Sequence, residues 1–155
     1  MPFFYCWANE NWTRRFSGTN ADVLMAIEPT TGSYQDFIES VLSDLADSRY
    51  YHIAGKPVIS IYRPSMVPDT EKVLEHWRRR VHEELGCNLY IIAIQERDTS
   101  TDWVAKGYDA ESEFQPKQVE HNCRNITRDV RPIRADFSGN VYDYEDLVEN
   151  LRYLS

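Results

Sequence analysis

Three glutamates, Glu10, Glu96 and Glu113, each follow an apolar run. Glycosyl chemistry needs such groups. One carboxylic acid protonates the leaving oxygen, and one carboxylate acts as base or nucleophile, on an oxocarbenium-like path. Glu10 lies in the densest polar and aromatic stretch, Cys6-Trp7-Ala8-Asn9-Glu10-Asn11-Trp12-Thr13-Arg14-Arg15. There, two indole rings (Trp7, Trp12) alternate with bidentate hydrogen-bonders (Asn9, Glu10, Asn11, Arg14). A pyranose offers apolar C–H faces to stack and a rim of hydroxyls that donate and accept. Arg63 closes a further apolar run and adds a cation. Spacing does not assign acid and base among Glu10, Glu96 and Glu113, so all three stand as candidates.

These groups must be positioned by strands. An apolar run too short for a buried helix that turns abruptly polar reads as a buried parallel strand reaching its carboxyl end. Strands are expected near 2–8, 57–62, 89–95 and 109–114, the last with Glu111 and Glu113 on one side. Between them, Phe37, Ile38, Val41, Leu42 and Leu45 recur at helical spacing behind an approximate capping box, Ser33 with Asp36. Val73, Leu74, Trp77, Val81 and Leu85 form a second stripe, opened by Asp69 and closed by Gly86. Residues 52–56 read as a turn, a short helix is expected around 102–106, a long loop over 116–136 and a terminal helix over 143–153. Strands alternating with helices give parallel pairing through right-handed crossovers, in one α/β domain over 1–155. All four strand ends then lie at one edge, where α/β folds bind ligands.

Composition narrows the function. A formal net charge of −8 argues against a nucleic-acid partner, which usually calls for a basic face. The one basic cluster, Arg78-Arg79-Arg80, precedes Glu83 and Glu84 and reads as a solvated helix face. The histidines, His52, His76, His82 and His121, lack metal-ligand spacing, and no metal or cofactor is expected. There is no dinucleotide or phosphate-loop glycine pattern and no nucleophile elbow. Tyr50, Tyr51 and Trp77 read as packing residues. No apolar run approaches the ~20 residues of a membrane span. Cys6, Cys87 and Cys123 make no even framework, which points to free thiols and a cytoplasmic home.

The opening run, then Asp47-Ser48-Arg49-Tyr50 leading through Gly55-Lys56-Pro57 to Ile61-Tyr62-Arg63-Pro64, then Tyr108-Asp109-Ala110 with Glu113-Phe114, and finally Val141-Tyr142-Asp143-Tyr144-Glu145, resemble one family. It is the WbsX-type proteins of bacterial polysaccharide and O-antigen clusters, which are similar to glycoside hydrolase family 99. The resemblance implies glycosyl transfer or hydrolysis on a (β/α)₈ barrel, usually without a metal. A whole barrel takes about 250 residues, so the chain is expected to be a partial one. The family's late Asn-Glu-Trp-x-x-Gly-type segment, where its family-99 relatives carry their paired carboxylates, has no counterpart here. On that resemblance Glu10, Glu96 and Glu113 position substrate rather than perform acid–base catalysis. The alternatives are a catalytically inactive, glycan-binding fragment and a generic open α/β protein. Unpaired strand edges also predict self-association of the isolated chain.

Overall fold

A four-stranded parallel sheet carries the first unit of the chain, with both of its long helices on one face. The computed structural model describes residues 1–13, 22–28, 30–95, 100–114, 122–131, 133 and 135–152. It divides into two compact units. One is Met1–Glu10 with Glu28–Glu113, and the other is Asn11–Ile27 with Phe114–Ser155.

In chain order the elements are β1 (Tyr5–Trp7), β2 (Trp12–Thr13), β3 (Val23–Met25), α1 (Thr31–Leu45), β4 (His52–Ile53), β5 (Lys56–Ile61), α2 (Thr70–Leu85), β6 (Tyr90–Gln95), β7 (Ala110–Glu113) and α3 (Tyr144–Arg152). The parallel strands lie in the order β1-β5-β6-β7, and β4 adds an antiparallel hairpin to β5. The strand order never reverses, unlike that of a doubly wound sheet, which places helices on both faces.

Register follows from the apolar alternation. Tyr5 pairs with Ile59 and Trp7 with Ile61. Ile59 and Ile61 pair in turn with Ile91 and Ala93, and Ala93 pairs with Glu111. Because strand side chains alternate between faces, Tyr5, Trp7, Ile59, Ile61, Ile91 and Ala93 all meet the helices. They form one core with Tyr34, Ile38, Val41, Leu42 and Leu45 of α1 and Val73, Leu74, Trp77 and Val81 of α2. Both expected stripes are therefore buried. The stripe of α1 also extends one turn earlier than expected, to Tyr34. At the centre, Trp77 is fully buried and lies parallel to Trp7 at 5.8 Å. Its Nε1 donates to the Tyr34 carbonyl at 2.8 Å.

The helix ends differ in detail from expectation. Thr30 caps α1, its hydroxyl accepting from the Ser33 amide while the Ser33 hydroxyl accepts from the Thr30 amide. The reciprocal box thus sits three residues before the expected one, with Ser33 in the third helical position. Asp69 does open α2, but in a left-handed backbone (φ 45°) with no side-chain cap. Gly86, at φ 69°, closes it as expected. Residues 52–57 form a hairpin whose two-residue turn has Ala54 and Gly55 at φ 50° and 75°. Two left-handed residues are what a type I′ hairpin turn requires.

Two connections complete the sheet. At the start of the β1–β5 ladder, the buried Tyr50 hydroxyl accepts from the Tyr5 amide at 3.2 Å and donates to the Val58 carbonyl at 2.7 Å. Between β6 and β7 the expected short helix is instead a hydrogen-bonded turn, in which the Lys106 and Tyr108 amides both donate to the Trp103 carbonyl. At the amino edge of the sheet Asp109 accepts from the Ile91 amide (2.9 Å) and Arg78 (2.7 Å), with Lys56 at 3.7 Å. The arginine cluster is accordingly divided. Arg78 holds Asp109, while Arg80 links α2 to Glu39 of α1 and to Glu83. That guanidinium holds both the Glu39 and Glu83 carboxyls below the usual carboxylate range.

In the second unit, β2 and β3 form a small antiparallel ribbon with Trp12 opposite Met25. Neither strand was read from the sequence. Asn125 bridges Tyr142, and the Arg124 side chain pairs with Asp143 just before α3. Among the described residues no helix is long and apolar enough to cross a membrane.

Candidate functional site

The register sets which strand-end residues stand level. Two positions beyond the Trp7–Ile61–Ala93–Glu111 row come Asn9, Arg63, Gln95 and Glu113, at the carboxyl edge of the sheet. The chain thus brings Asn9, Glu10, Arg63 and Glu113 to one edge of the first unit, as expected. Arg14 and Glu96 lie outside the described residues.

The four groups do different things there. Arg63 Nη1 stands 3.5 Å from Glu10 Oε2, with the two side chains 39% and 24% exposed. A carboxylate beside a guanidinium offers acceptors and donors to adjacent hydroxyls. Asn9 is fully buried. Its Oδ1 accepts from the Arg63 amide at 2.8 Å, and its Nδ2 donates to the Arg63 carbonyl and to the Tyr34 hydroxyl, both at 2.8 Å. Both amide protons are in use, so Asn9 serves the backbone rather than a hydroxyl of a ligand.

Trp7 is likewise taken up by packing, its ring centroid 4.0 Å from Phe37 and 4.5 Å from Tyr34. An aromatic residue at a strand end reads the same whether it faces a helix or a ligand, and here the helices claim it.

On β7, Glu113 is exposed. Its same-face neighbour Glu111 accepts from the Trp103 amide and from Gln95 Nε2, each at 2.6 Å, and so anchors the β6–β7 turn. The core of the first unit holds two buried phenols, Tyr34 and Tyr108. Burial raises the Tyr34 hydroxyl above its usual pKa, an effect the Asn9 hydrogen bond partly offsets. Burial also raises Tyr108, whose hydroxyl has no hydrogen-bond partner among the described residues. An unpaired buried hydroxyl is destabilising. Tyr108→Phe is therefore expected to leave the thermal melt unchanged or raise stability by up to about 1 kcal/mol. A clear fall in melting temperature would reveal a partner for the hydroxyl.

In the second unit, Trp12 is 56% exposed beside Val23, Leu24 and Met25, which are also exposed. Asn11 Oδ1 accepts from the Ile27 amide at 2.8 Å, steadying the ribbon. Of the two tryptophans expected to stack on a sugar, Trp12 is the one that presents its ring. Among the described residues, no three His, Cys, Asp or Glu side chains gather as a metal site requires.

The expectation missed Tyr34, the residue behind Asn9. Extending the α1 stripe back by one turn would have found it. The roles of Gln95 and Glu111 depend on register between strands and left no local signal.

Fold and edge together define a mixed α/β protein that collects polar groups at the carboxyl ends of parallel strands. The model of the glycosyltransferase WbsX family matches residues 1–154, and the chain belongs to that family. It is similar to two curated proteins named "Uncharacterized protein WxcX", from Xanthomonas campestris pv. campestris strains B100 and ATCC 33913. Each is 29% identical over 153 residues, which cover 97% of this chain and 21% of the relative. The chain therefore spans about a fifth of the length of these relatives. No solved structure matches it significantly.

Proposed function

We propose that this chain is the sugar-positioning part of a carbohydrate-active protein that transfers or hydrolyses glycosyl units in bacterial surface polysaccharide metabolism. The observation that carries this reading is the Glu10–Arg63 pair at the carboxyl edge of the parallel sheet. In this reading, the pair hydrogen-bonds neighbouring hydroxyls on the first unit, where Glu96 and Glu113 add further contacts. The exposed Trp12 ring of the second unit is by itself a stacking surface for a pyranose face. Family membership supports a sugar as the ligand class. The unreversed strand order, with both helices on one face, supports a segment of a (β/α)₈ barrel akin to that of glycoside hydrolase family 99. The same reading places the protein in the cytoplasm and expects the isolated chain to self-associate through its strand edges.

Within this segment, sugar binding is favoured over proton transfer. Glu10 sits against a guanidinium, and Glu111 is bound to a backbone amide and an amide side chain. The test is a thermal melt, paired with light scattering, against mannose- and rhamnose-containing oligosaccharides. A ligand selective for the folded state raises the melting temperature. Arg63→Ala and Trp12→Ala should each weaken binding about 10-fold or more, the worth of a charged hydrogen bond or an aromatic contact. Ligand-induced shifts that both variants leave untouched would overturn the assignment.

A further inference from the structure

We propose that Asn9, backed by Tyr34, is a positioning residue that sets the direction of the Arg63 side chain without touching the ligand. The main-chain ladder between β1 and β5 ends where the Tyr62 amide donates to the Trp7 carbonyl at 2.9 Å. Beyond that rung the Asn9 side chain takes over. Its amide group meets the Arg63 N–H and C=O as a peptide of a neighbouring strand would, and so extends the sheet by one rung. The arrangement also fixes which way the amide lies, because only its oxygen can face the Arg63 N–H.

Tyr34 completes the clamp. Its hydroxyl accepts the second Nδ2 proton, which ties the first turn of α1 to the end of β1. On the far side of Arg63, Pro64 begins a single 3₁₀ turn, Pro64–Met66, and disfavours a helical backbone at residue 63. Residue 63 accordingly lies outside the helical region, at φ −128° and ψ 80°. With its backbone held by Asn9 on one side and restricted by Pro64 on the other, the Arg63 side chain leaves toward Glu10, the residue next to the clamp. A removed clamp frees the backbone that aims the guanidinium.

Because Asn9 holds only the main-chain atoms of Arg63, Arg63→Ala leaves the clamp intact, and the positioning role separates from a stabilising one. The Arg63 Nε–Hε resonance, followed by NMR in the 155-residue chain, reads the aim directly and requires no ligand. Asn9→Ala is expected to move that resonance to the position of a freely rotating arginine while the amide resonances of Ile91 and Ala93 stay in place. Tyr34→Phe, a milder change, should move it in the same direction by less, and decides the matter if Asn9→Ala fails to fold. An Arg63 resonance unmoved in the folded variants would overturn the proposal.

The last arm rests on the glycan-binding reading above. Asn9→Ala should lower affinity for the mannose- and rhamnose-containing oligosaccharides about tenfold, or 1.4 kcal/mol, in the Arg63 background and leave it unchanged in Arg63→Ala. Equal losses in both backgrounds would mark Asn9 as structural only. If the resonance moves as expected and no oligosaccharide binds even the wild type, the positioning role stands and the glycan reading falls.

Discussion

Trp77→Ala is expected to destabilise the first unit by about 4–5 kcal/mol, at the upper end for truncation of a buried large aromatic residue. Two losses add. The indole is fully buried among Trp7, Tyr34 and Phe37, so its removal leaves a cavity where α1, α2 and β1 meet. Its Nε1–H also satisfies the Tyr34 carbonyl, which would then be left unpaired. Against the ~5–15 kcal/mol that holds a typical domain together, this is a large share. At about 2–4 °C per kcal/mol for a chain of this size, the melting temperature should fall by roughly 10–20 °C. Trp77→Phe keeps most of the volume and loses the N–H, so about 1–2 kcal/mol is expected. Thermal melts followed by near-ultraviolet circular dichroism check both. Coupling between the parallel Trp7 and Trp77 rings should vanish in each variant. A Trp77→Ala protein that melts within a few degrees of wild type would mean that the core is built elsewhere.

The second large effect is expected from a single oxygen. Tyr50→Phe keeps the ring, which stays edge-on to Phe3 at 5.2 Å. It removes the hydroxyl that stands between the Tyr5 amide and the Val58 carbonyl. A buried carbonyl and a partly buried amide lose their partner together. At ~1–3 kcal/mol for an unsatisfied buried group, and the low end of that range for the partly buried amide, a loss of about 2–4 kcal/mol follows.

The same hydroxyl gives the loss a pH dependence. Burial pushes the Tyr50 pKa up to about 12 from an ordinary 10.0. A group whose folded pKa is raised contributes stability that is complete below the unfolded pKa. That contribution drains away as pH rises through the folded value. The advantage of wild type over Tyr50→Phe should therefore be constant up to about pH 9 and shrink between pH 10 and 12. Urea melts at pH 8 and pH 11 measure it, and an advantage that does not shrink would show that the folded pKa of Tyr50 does not lie above the unfolded value.

What was legible in the sequence is what repeats locally. β5 and β6 announce themselves as apolar runs because the neighbouring strands and covering helices bury them in the sheet. α1 and α2 show stripes because one side of each faces that sheet. Gly86 was readable because a left-handed helix end favours a residue without a side chain. The β2–β3 ribbon was not readable, because Val23-Leu24-Met25 is apolar without alternation and exposed throughout. The candidate site was half legible. Glu10 and Arg63 were expected at one edge, and they meet there. Asn9 and Trp7 were expected to face a ligand and instead serve the fold, since polarity and aromaticity alone do not say which neighbour a side chain will find. Tyr50 reads as a packing residue, and its ring does pack. The hydroxyl's place in the ladder depends on a gap between β1 and β5 that no local pattern encodes.

The Asn9 clamp also bears on how such a sequence can diverge. A side chain that grips its neighbour's main chain is indifferent to what that neighbour carries. Position 63 can therefore change its side chain, and with it the groups the edge presents, while the sheet beneath is undisturbed. Position 9 has no such freedom, since few other side chains both donate to and accept from one peptide group at that reach. The first position is where the chemistry of the edge can drift, and the second is what allows it to drift without unfolding the protein.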